Sequence, residues 1–188
     1  MSPAQSSRTP RTPDSVLVLD TRRLGRRPGS MIEVHSTVPS PSRIGLDLIA
    51  IPEGTDMTLD LRLESVSEGV LVTGTVSADT AGECSRCLEP FDSHVDLALT
   101  ELFAYPDSVT DETTDSDDSY RVVDDAIDLE PLIVDIAGLT LPLRPLDRED
   151  CQGLCSECGV RLAIAEPNHS HEILDPRWAG LAEKFATE

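Results

Sequence analysis

Hydrophobic and polar residues alternate along three stretches in the middle of the chain. In residues 57–64 every second residue is Met or Leu, and the residues between them are polar or charged. A period of two is typical of a strand with one buried face. Residues 70–76 are rich in β-branched side chains, and residues 94–103 alternate again. The pattern predicts three antiparallel strands, with the segment 84–87 at the connection between the second and the third.

Capping residues and apolar spacing predict two short helices. The first is capped by Asp128, tolerates Pro131 in its first turn and ends before Pro142, and its apolar side is Leu129, Leu132, Ile133, Ile136 and Leu139 or Thr140. The second runs from Pro176 to Phe185 behind Asp175, and it would bury Trp178, Leu181 and Phe185. The expected fold class is therefore α+β, with an antiparallel β-sheet or partly closed barrel and two short helices.

The length of 188 residues indicates one domain with a tail. Residues 1–15 are rich in Ser, Pro, Thr and Gln without apolar periodicity, which predicts a disordered tail before a single domain at 16–188. Within that domain, residues 107–118 contain six acidic residues and no basic one. This composition predicts a disordered acidic loop.

Charge is distributed unevenly. The formal net charge is -20, yet residues 1–30 carry six arginines against two aspartates, so the rest of the chain is strongly acidic. An acidic body repels phosphates, and contact with RNA or an acidic partner is expected only at the arginine arm, through Arg22, Arg23, Arg26 and Arg27. The simpler interpretation is that these arginines belong to a solvated tail. Because no signal peptide or membrane span is recognisable, we expect a cytoplasmic protein.

All five cysteines fall into two groups, Cys84-Ser-Arg-Cys87 and a second run with Cys151, Cys155 and Cys158. Two residues between thiolates allow a tight turn that points both sulfurs at one ion, and a glycine such as Gly159 can supply the positive φ that such a turn needs. An odd count in a reducing compartment argues against a disulfide framework. The spacing predicts a zinc-knuckle region within the cysteine-rich segment 151–171 and the strand tip.

The cysteine segments 84–91 and 151–159 and the acidic segment 127–133 resemble the YceD family, whose members are known as large ribosomal RNA subunit accumulation proteins. Residues 19–30 and 175–181 further resemble segments of its actinobacterial members. The resemblance implies a role in ribosome biogenesis, with ribosome assembly components or large-subunit ribosomal RNA as partners. It also implies that Cys84 and Cys87 are a general family feature. Cys155 and Cys158 resemble only some branches, and some relatives carry Cys-x-Cys where this chain has His169-Ser170-His171.

Two zinc arrangements are compatible with these residues. In the first, one ion is bound by Cys84, Cys87, Cys155 and Cys158, and Cys151 is spare. In the second, Cys155, Cys158, His169 and His171 form a local site, while Cys84, Cys87 and Cys151 bind another ion with an unidentified fourth ligand. The number of bound zinc ions distinguishes the two.

The sequence favours a protein that is not an enzyme. It contains no Gly-rich phosphate loop and no serine nucleophile motif, and zinc held by four thiolates has no open position for water. We therefore expect an accessory factor for large-subunit ribosomal RNA, without a membrane or small-molecule substrate. The alternatives are a redox-sensing zinc thiol switch or chaperone-like protein, in which oxidation expels the metal, and an acidic mimic of nucleic acid.

Overall fold

The computed structural model describes residues 15–106, 108–114 and 119–171. Strands predominate in this part of the chain. The strands are β1 Val18–Asp20, β2 Met31–Pro39, β3 Ile44–Leu46, β4 Ile49–Ile51, β5 Asp56–Ser65, β6 Gly69–Glu83, β7 Pro90–Ala104, β8 Tyr120–Arg121 and β9 Ala126–Asp128, and the helices are α1 Val109–Thr113 and α2 Glu130–Thr140.

The three predicted strands are confirmed as the centre of a seven-stranded sheet. Strands β6 and β7 pair antiparallel along their full length, from Gly69 opposite Ala104 to Glu83 opposite Pro90. The other edge of β6 pairs first with β5 and then, near its end, with β4. Strand β2 continues the sheet beyond β5, β3 pairs with β4, and β8 joins β7 as a short parallel strand. The long β6–β7 hairpin carries Cys84 and Cys87 at its tip, as predicted.

One face of the sheet is apolar because the alternation continues through β5, β6 and β7. Met57, Leu59, Leu61, Leu63 and their neighbours Val72, Val76, Leu97 and Leu99 are almost completely buried. Burying one such side chain contributes about 1.5–3 kcal/mol. The opposite face is exposed and largely acidic or hydroxylated, so it contributes little to the core.

Helix α2 covers part of the apolar face. It packs against β3 and β7 and buries Leu132, Ile133 and Ala137. The helix begins at Glu130, and the Asp128 carboxylate accepts a hydrogen bond from the Glu130 N–H at 3.1 Å. A separate two-stranded ribbon, β1 with β9, lies beside the helix start, where the Leu129 N–H donates to the Leu17 carbonyl oxygen at 3.1 Å.

Some sequence expectations need correction. Among the described residues the strands form an open sheet and no closed barrel, because β2 and β3, on one side of β6, do not pair with β7 or β8 on its other side. Leu139 or Thr140 was expected on the buried side of α2, but both are exposed, Leu139 to 88%, because the buried positions within the helix end at Ala137. The predicted helix 176–185 and most of the tail 1–15 lie outside the described residues.

The predicted acidic loop 107–118 contains a helix. Residues 109–113 form α1, whose N-cap residue Ser108 accepts a hydrogen bond from the Asp111 N–H at 3.1 Å through its side chain. Acidic residues in a first turn favour helix formation because they face unpaired N–H groups. The acids that suggested disorder therefore stabilise this single turn, and Asp111 also binds Arg121 with an oxygen to nitrogen distance of 2.7 Å.

Among the described residues, neither helix has the length or the apolar run that crossing a bilayer requires.

The chain returns to the hairpin tip after α2. The Ser85 N–H donates to the Pro145 carbonyl oxygen at 2.8 Å, and Arg86 Nη1 donates to the Cys151 carbonyl oxygen, also at 2.8 Å. These two bonds hold the segment after α2 against the connection between β6 and β7. Residues 145–151 therefore lie next to Cys84 and Cys87.

Candidate metal centre

The structure gathers the cysteines into two groups that could each hold a metal ion. The hairpin group is Cys84, Cys87, Cys151 and Asp147, and the C-terminal group is Cys155, Cys158, His169 and His171. Within each group the four donor atoms lie within 4.8 Å of one another. Donor sets of this kind, rich in sulfur and imidazole, are those that bind zinc and related transition metals.

The two Cys-x-x-Cys turns have the same backbone structure. In the first, the Cys84 N–H donates to the Glu89 carbonyl oxygen, and the Leu88 N–H donates to the Cys84 carbonyl oxygen, both at 2.9 Å. In the second, Cys155 and Gly159 make the equivalent bonds, with Val160 in the place of Glu89. The residue after the second cysteine has positive φ in both turns, 60° at Leu88 and 71° at Gly159. Each turn therefore directs its two sulfurs to the same side.

Backbone amides favour thiolate at the first cysteine of each turn. Burial alone would raise the pKa of the Cys84 thiol, but N–H groups of Asp147, Cys87 and Arg86 hold that pKa below its ordinary value. In the second turn, the N–H groups of Cys158 and Glu157, with His169, lower the pKa of Cys155 to about 6. Such amide-to-sulfur bonds favour the ionised form that binds metal.

The hairpin group is buried. Cys84 is 0% exposed, Cys87 8% and Cys151 5%, and they pack against Phe91, Leu146 and Leu154. The Sγ atoms of Cys84 and Cys151 lie 3.7 Å apart, and Cys87 Sγ lies 3.9 Å from Asp147 Oδ1. Burial raises the pKa of Cys151 to about 12, so this thiol keeps its proton unless a cation compensates the charge.

The C-terminal group is more open. Cys155 is half-buried, whereas Cys158 and His171 are exposed. The Nε2 atoms of His169 and His171 lie 3.4 Å and 3.2 Å from Cys158 Sγ and 3.0 Å from each other. Two ring nitrogens and a sulfur thus converge on one point at the protein surface.

The structure distributes the candidate ligands differently from the first sequence arrangement. Cys84 and Cys87 belong to one group, and Cys155 and Cys158 to the other. Cys151, which the first arrangement leaves without a role, lies beside Cys84. The two groups contain the same cysteines and histidines as the two sites of the second arrangement, and Asp147 lies beside the three cysteines of the hairpin group. Sequence reasoning missed Asp147 because Glu149 and Asp150 are closer to Cys151 along the chain.

The arginine turn at 22–27 lies away from both groups. Arg22 Nε binds Asp20 Oδ2 at 2.8 Å, and the Arg26 guanidinium lies 4.9 Å above the Tyr105 ring and 3.8 Å from Asp125. Arg23 and Arg27 are exposed and form no ion pair with any residue that the structure describes. Two of the four arginines therefore already have an acidic partner within the protein.

Leu88 is expected to cost stability through its backbone. A residue with a Cβ costs about 1–2 kcal/mol of stability when its backbone lies in the left-handed region. The Leu88 side chain is 59% exposed, so its burial offsets little of that cost. Leu88→Gly should therefore raise the free energy of unfolding, by about 0.5–1 kcal/mol after the entropy cost of glycine. Urea denaturation measures this change. Leu88→Ala is the control, because it removes the side chain and keeps the Cβ, and equal effects of the two variants would contradict the backbone explanation.

Both groups of candidate ligands lie in a part of the chain that matches a known protein family. The family model described as "Large ribosomal RNA subunit accumulation protein YceD" matches residues 72–183, a range that contains both groups. An uncharacterized protein of Mycobacterium tuberculosis and one of Mycobacterium bovis are each 62% identical over 174 residues, which is 93% of this chain and 84% of theirs. An uncharacterized protein of Mycobacterium leprae is 51% identical over 174 residues, covering 93% and 80%. No solved structure gives a significant match.

The fold and the paired cysteine turns define an antiparallel β-sheet protein with two potential metal-binding groups at one end. The chain belongs to the YceD family, as its resemblance predicted. The name of that family implies a role in the accumulation of large-subunit ribosomal RNA.

Proposed function

We propose that this protein is a non-enzymatic, zinc-binding accessory factor that supports the synthesis, processing or stability of large-subunit ribosomal RNA in the cytoplasm. The family match carries the proposal, because it covers all but the first residues of the β6–β7 hairpin and every candidate metal ligand. The ribosomal RNA itself or ribosome assembly components are the partners that this function requires.

The C-terminal group supports zinc as the metal. A tetrahedral zinc ion holds a sulfur and a nitrogen ligand about 3.6 Å apart and two nitrogens about 3.4 Å apart. The distances from Cys158 to His169 and His171, 3.4 Å and 3.2 Å, and the 3.0 Å between the two imidazoles are close to these values. Two thiolates and two imidazoles also form a common structural zinc ligand set.

A structural role follows from the number of donors. When four protein side chains bind one zinc ion, no position remains for a reacting water, so the metal fixes a shape and does not catalyse hydrolysis. Here the ion would close the loop between Cys155 and His171, a segment with few buried side chains of its own. Zinc binding would thus provide the folding energy that the core does not supply there.

The arginine turn supports a limited contact with RNA or an acidic partner. Arg22 and Arg26 are paired with Asp20 and Asp125, which leaves Arg23 and Arg27 as the cations that a phosphate could reach. The rest of the chain is acidic and would repel an RNA backbone. We therefore assign any direct phosphate contact to Arg23 and Arg27 and contact with basic ribosomal components to the acidic body.

Depletion of the protein in its own cell is expected to lower the ratio of large-subunit to small-subunit ribosomal RNA. The measurement is quantitative RNA analysis with subunit profiles, and a plasmid copy of the full chain should restore the ratio. An Arg23→Ala, Arg27→Ala double variant should restore it incompletely if the turn contacts phosphate, and Arg43→Ala, which removes an exposed arginine elsewhere in the chain, is the control. A normal ratio and normal precursors after depletion would contradict the proposed function.

A further inference from the structure

The hairpin group contains a carboxylate whose two oxygens face different partners. Asp147 Oδ1 lies 3.9 Å from Cys87 Sγ, and Oδ2 lies 3.4 Å from Arg148 Nε. The side chain is 21% exposed, whereas that of Asp150 is 90% exposed. Among the acids near Cys151, Asp147 is the one that the fold turns towards the thiols.

We propose that Asp147 is the fourth ligand of a second zinc centre, formed with Cys84, Cys87 and Cys151, which fastens the tip of the β6–β7 hairpin to the segment after α2. The inference rests on the proposed function in one respect, namely that this chain binds zinc. It adds a second ion, a ligand of a different type and a separate structural role.

The distances within the group fit one ion. Two sulfurs bound to a tetrahedral zinc ion lie about 3.8 Å apart, and a sulfur and a carboxylate oxygen lie about 3.6 Å apart. The corresponding distances here are 3.7 Å between the Cys84 and Cys151 sulfurs and 3.9 Å between Cys87 Sγ and Asp147 Oδ1. Hence these two pairs already have the separations that one ion requires, and all four donor atoms lie within 4.8 Å of one another.

Charge and burial point to a cation in the same place. Three buried sulfurs next to a carboxylate would be costly as anions without a positive charge among them. Neighbouring residues also contact the proposed ligands, as in the outer shell of a metal site. Arg148 forms an ion pair with Oδ2 of Asp147, and Arg86 donates a hydrogen bond to the Cys151 carbonyl oxygen. The ion would have a path to the group through a recess of about 240 Å³ that Cys87, Asp147 and Cys151 line.

The site would link parts of the chain that are distant in sequence. Cys84 and Cys87 lie at the hairpin tip, and Asp147 and Cys151 lie in the segment that leaves α2, 60 residues after Cys87 and 67 residues after Cys84, respectively. The main-chain bond from Ser85 to Pro145, the Asp147 N–H directed at Cys84 and the Arg86 bonds also join these parts at the tip. The hairpin centre would thereby also position the C-terminal group, which begins four residues after Cys151.

The test counts zinc in full-length Asp147 variants purified without chelator. We expect two zinc ions in the unmodified protein, one in Asp147→Ala and two in the control Asp150→Ala, with affinity at the hairpin site reduced more than about 100-fold by Asp147→Ala. Asp147→Cys should retain two ions, and after cobalt substitution it should show stronger sulfur-to-cobalt charge-transfer absorption than the unmodified protein. This variant also shows that loss of zinc in Asp147→Ala reflects the missing ligand and not a failure to fold.

The outcomes separate the inference from the proposed function. Two tightly bound ions in Asp147→Ala, or one ion that is unaffected by Asp147→Ala and lost in His169→Ala, would overturn the second centre and leave the zinc-binding function intact. Cobalt absorption unchanged by Asp147→Cys would also overturn it. A protein without any zinc would contradict both.

Discussion

Replacing Cys155 by serine is expected to remove one zinc ion per chain and to leave the hairpin centre loaded. Cys155 is the first cysteine of its turn, and it receives the N–H groups of Cys158 and Glu157 that favour its thiolate. A serine hydroxyl is a much poorer zinc ligand than a thiolate. Loss of an outer-shell partner lowers metal affinity roughly 10- to 100-fold, and we expect the zinc affinity of the C-terminal group to fall by more than that when a ligand itself is lost. Native mass spectrometry of the purified variant gives the number of bound ions.

The same variant tests whether the metal matters for the function. When it is the only copy in the depleted cell, Cys155→Ser should restore the large-subunit ribosomal RNA less well than the unmodified chain. Ser156→Ala is the matched control, since it changes an exposed neighbour in the same turn and no ligand. Full zinc content and full restoration by Cys155→Ser would show that this group is not a metal site.

Replacing Phe103 by alanine should lower the free energy of unfolding by about 3–5 kcal/mol. Phe103 is 1% exposed near the end of β7, and its ring centre lies 5.4 Å from that of Tyr120 on β8. The substitution removes this buried ring and leaves a cavity beside Tyr120. Urea denaturation followed by circular dichroism measures the change.

The control for this prediction lies on the exposed face of the same strand. Thr100→Val keeps the β-branched shape at an exposed position, and we expect it to change the free energy of unfolding by no more than about 0.5 kcal/mol. Truncations in a packed core cost several kcal/mol. If Phe103→Ala lowered the free energy of unfolding by less than about 1 kcal/mol, that result would contradict the packing of β7 against the core.

The long strands could be predicted because one physical rule dominates them. In β5 the alternation of Leu with charged residues matches the buried and exposed faces position by position. The short strands β3 and β4 were not predicted, since Ile44–Leu46 and Ile49–Ile51 are too short to show a period. Their pairing depends on contacts with β6 and α2 that are distant in sequence.

The candidate site could be predicted only in part for a related reason. The spacing of Cys84 with Cys87 and of Cys155 with Cys158 reflects a local turn, and the structure shows that turn twice. Which pairs share a site depends on how the segment after α2 folds back onto the hairpin tip, and no local pattern encodes that. Asp147 is selected from three nearby acids by the same long-range arrangement.

Helix α1 shows a local signal that the charge pattern obscured. Ser108 followed by acids at positions 111 and 112 is a common start of a helix. The high density of acids in 107–118 suggested disorder because repulsion between like charges disfavours compact structure. Contacts of Arg121 with Asp111 and Thr114 reduce that repulsion, and they come from a residue beyond the acidic segment.

Native mass spectrometry of freshly purified full-length protein, combined with alkylation of accessible thiols, tests the central claim most directly. The account predicts a mass that includes two zinc ions and five cysteines that react only after a chelator has removed the metal. A metal-free mass, with all five cysteines alkylated at once under native conditions, would contradict it.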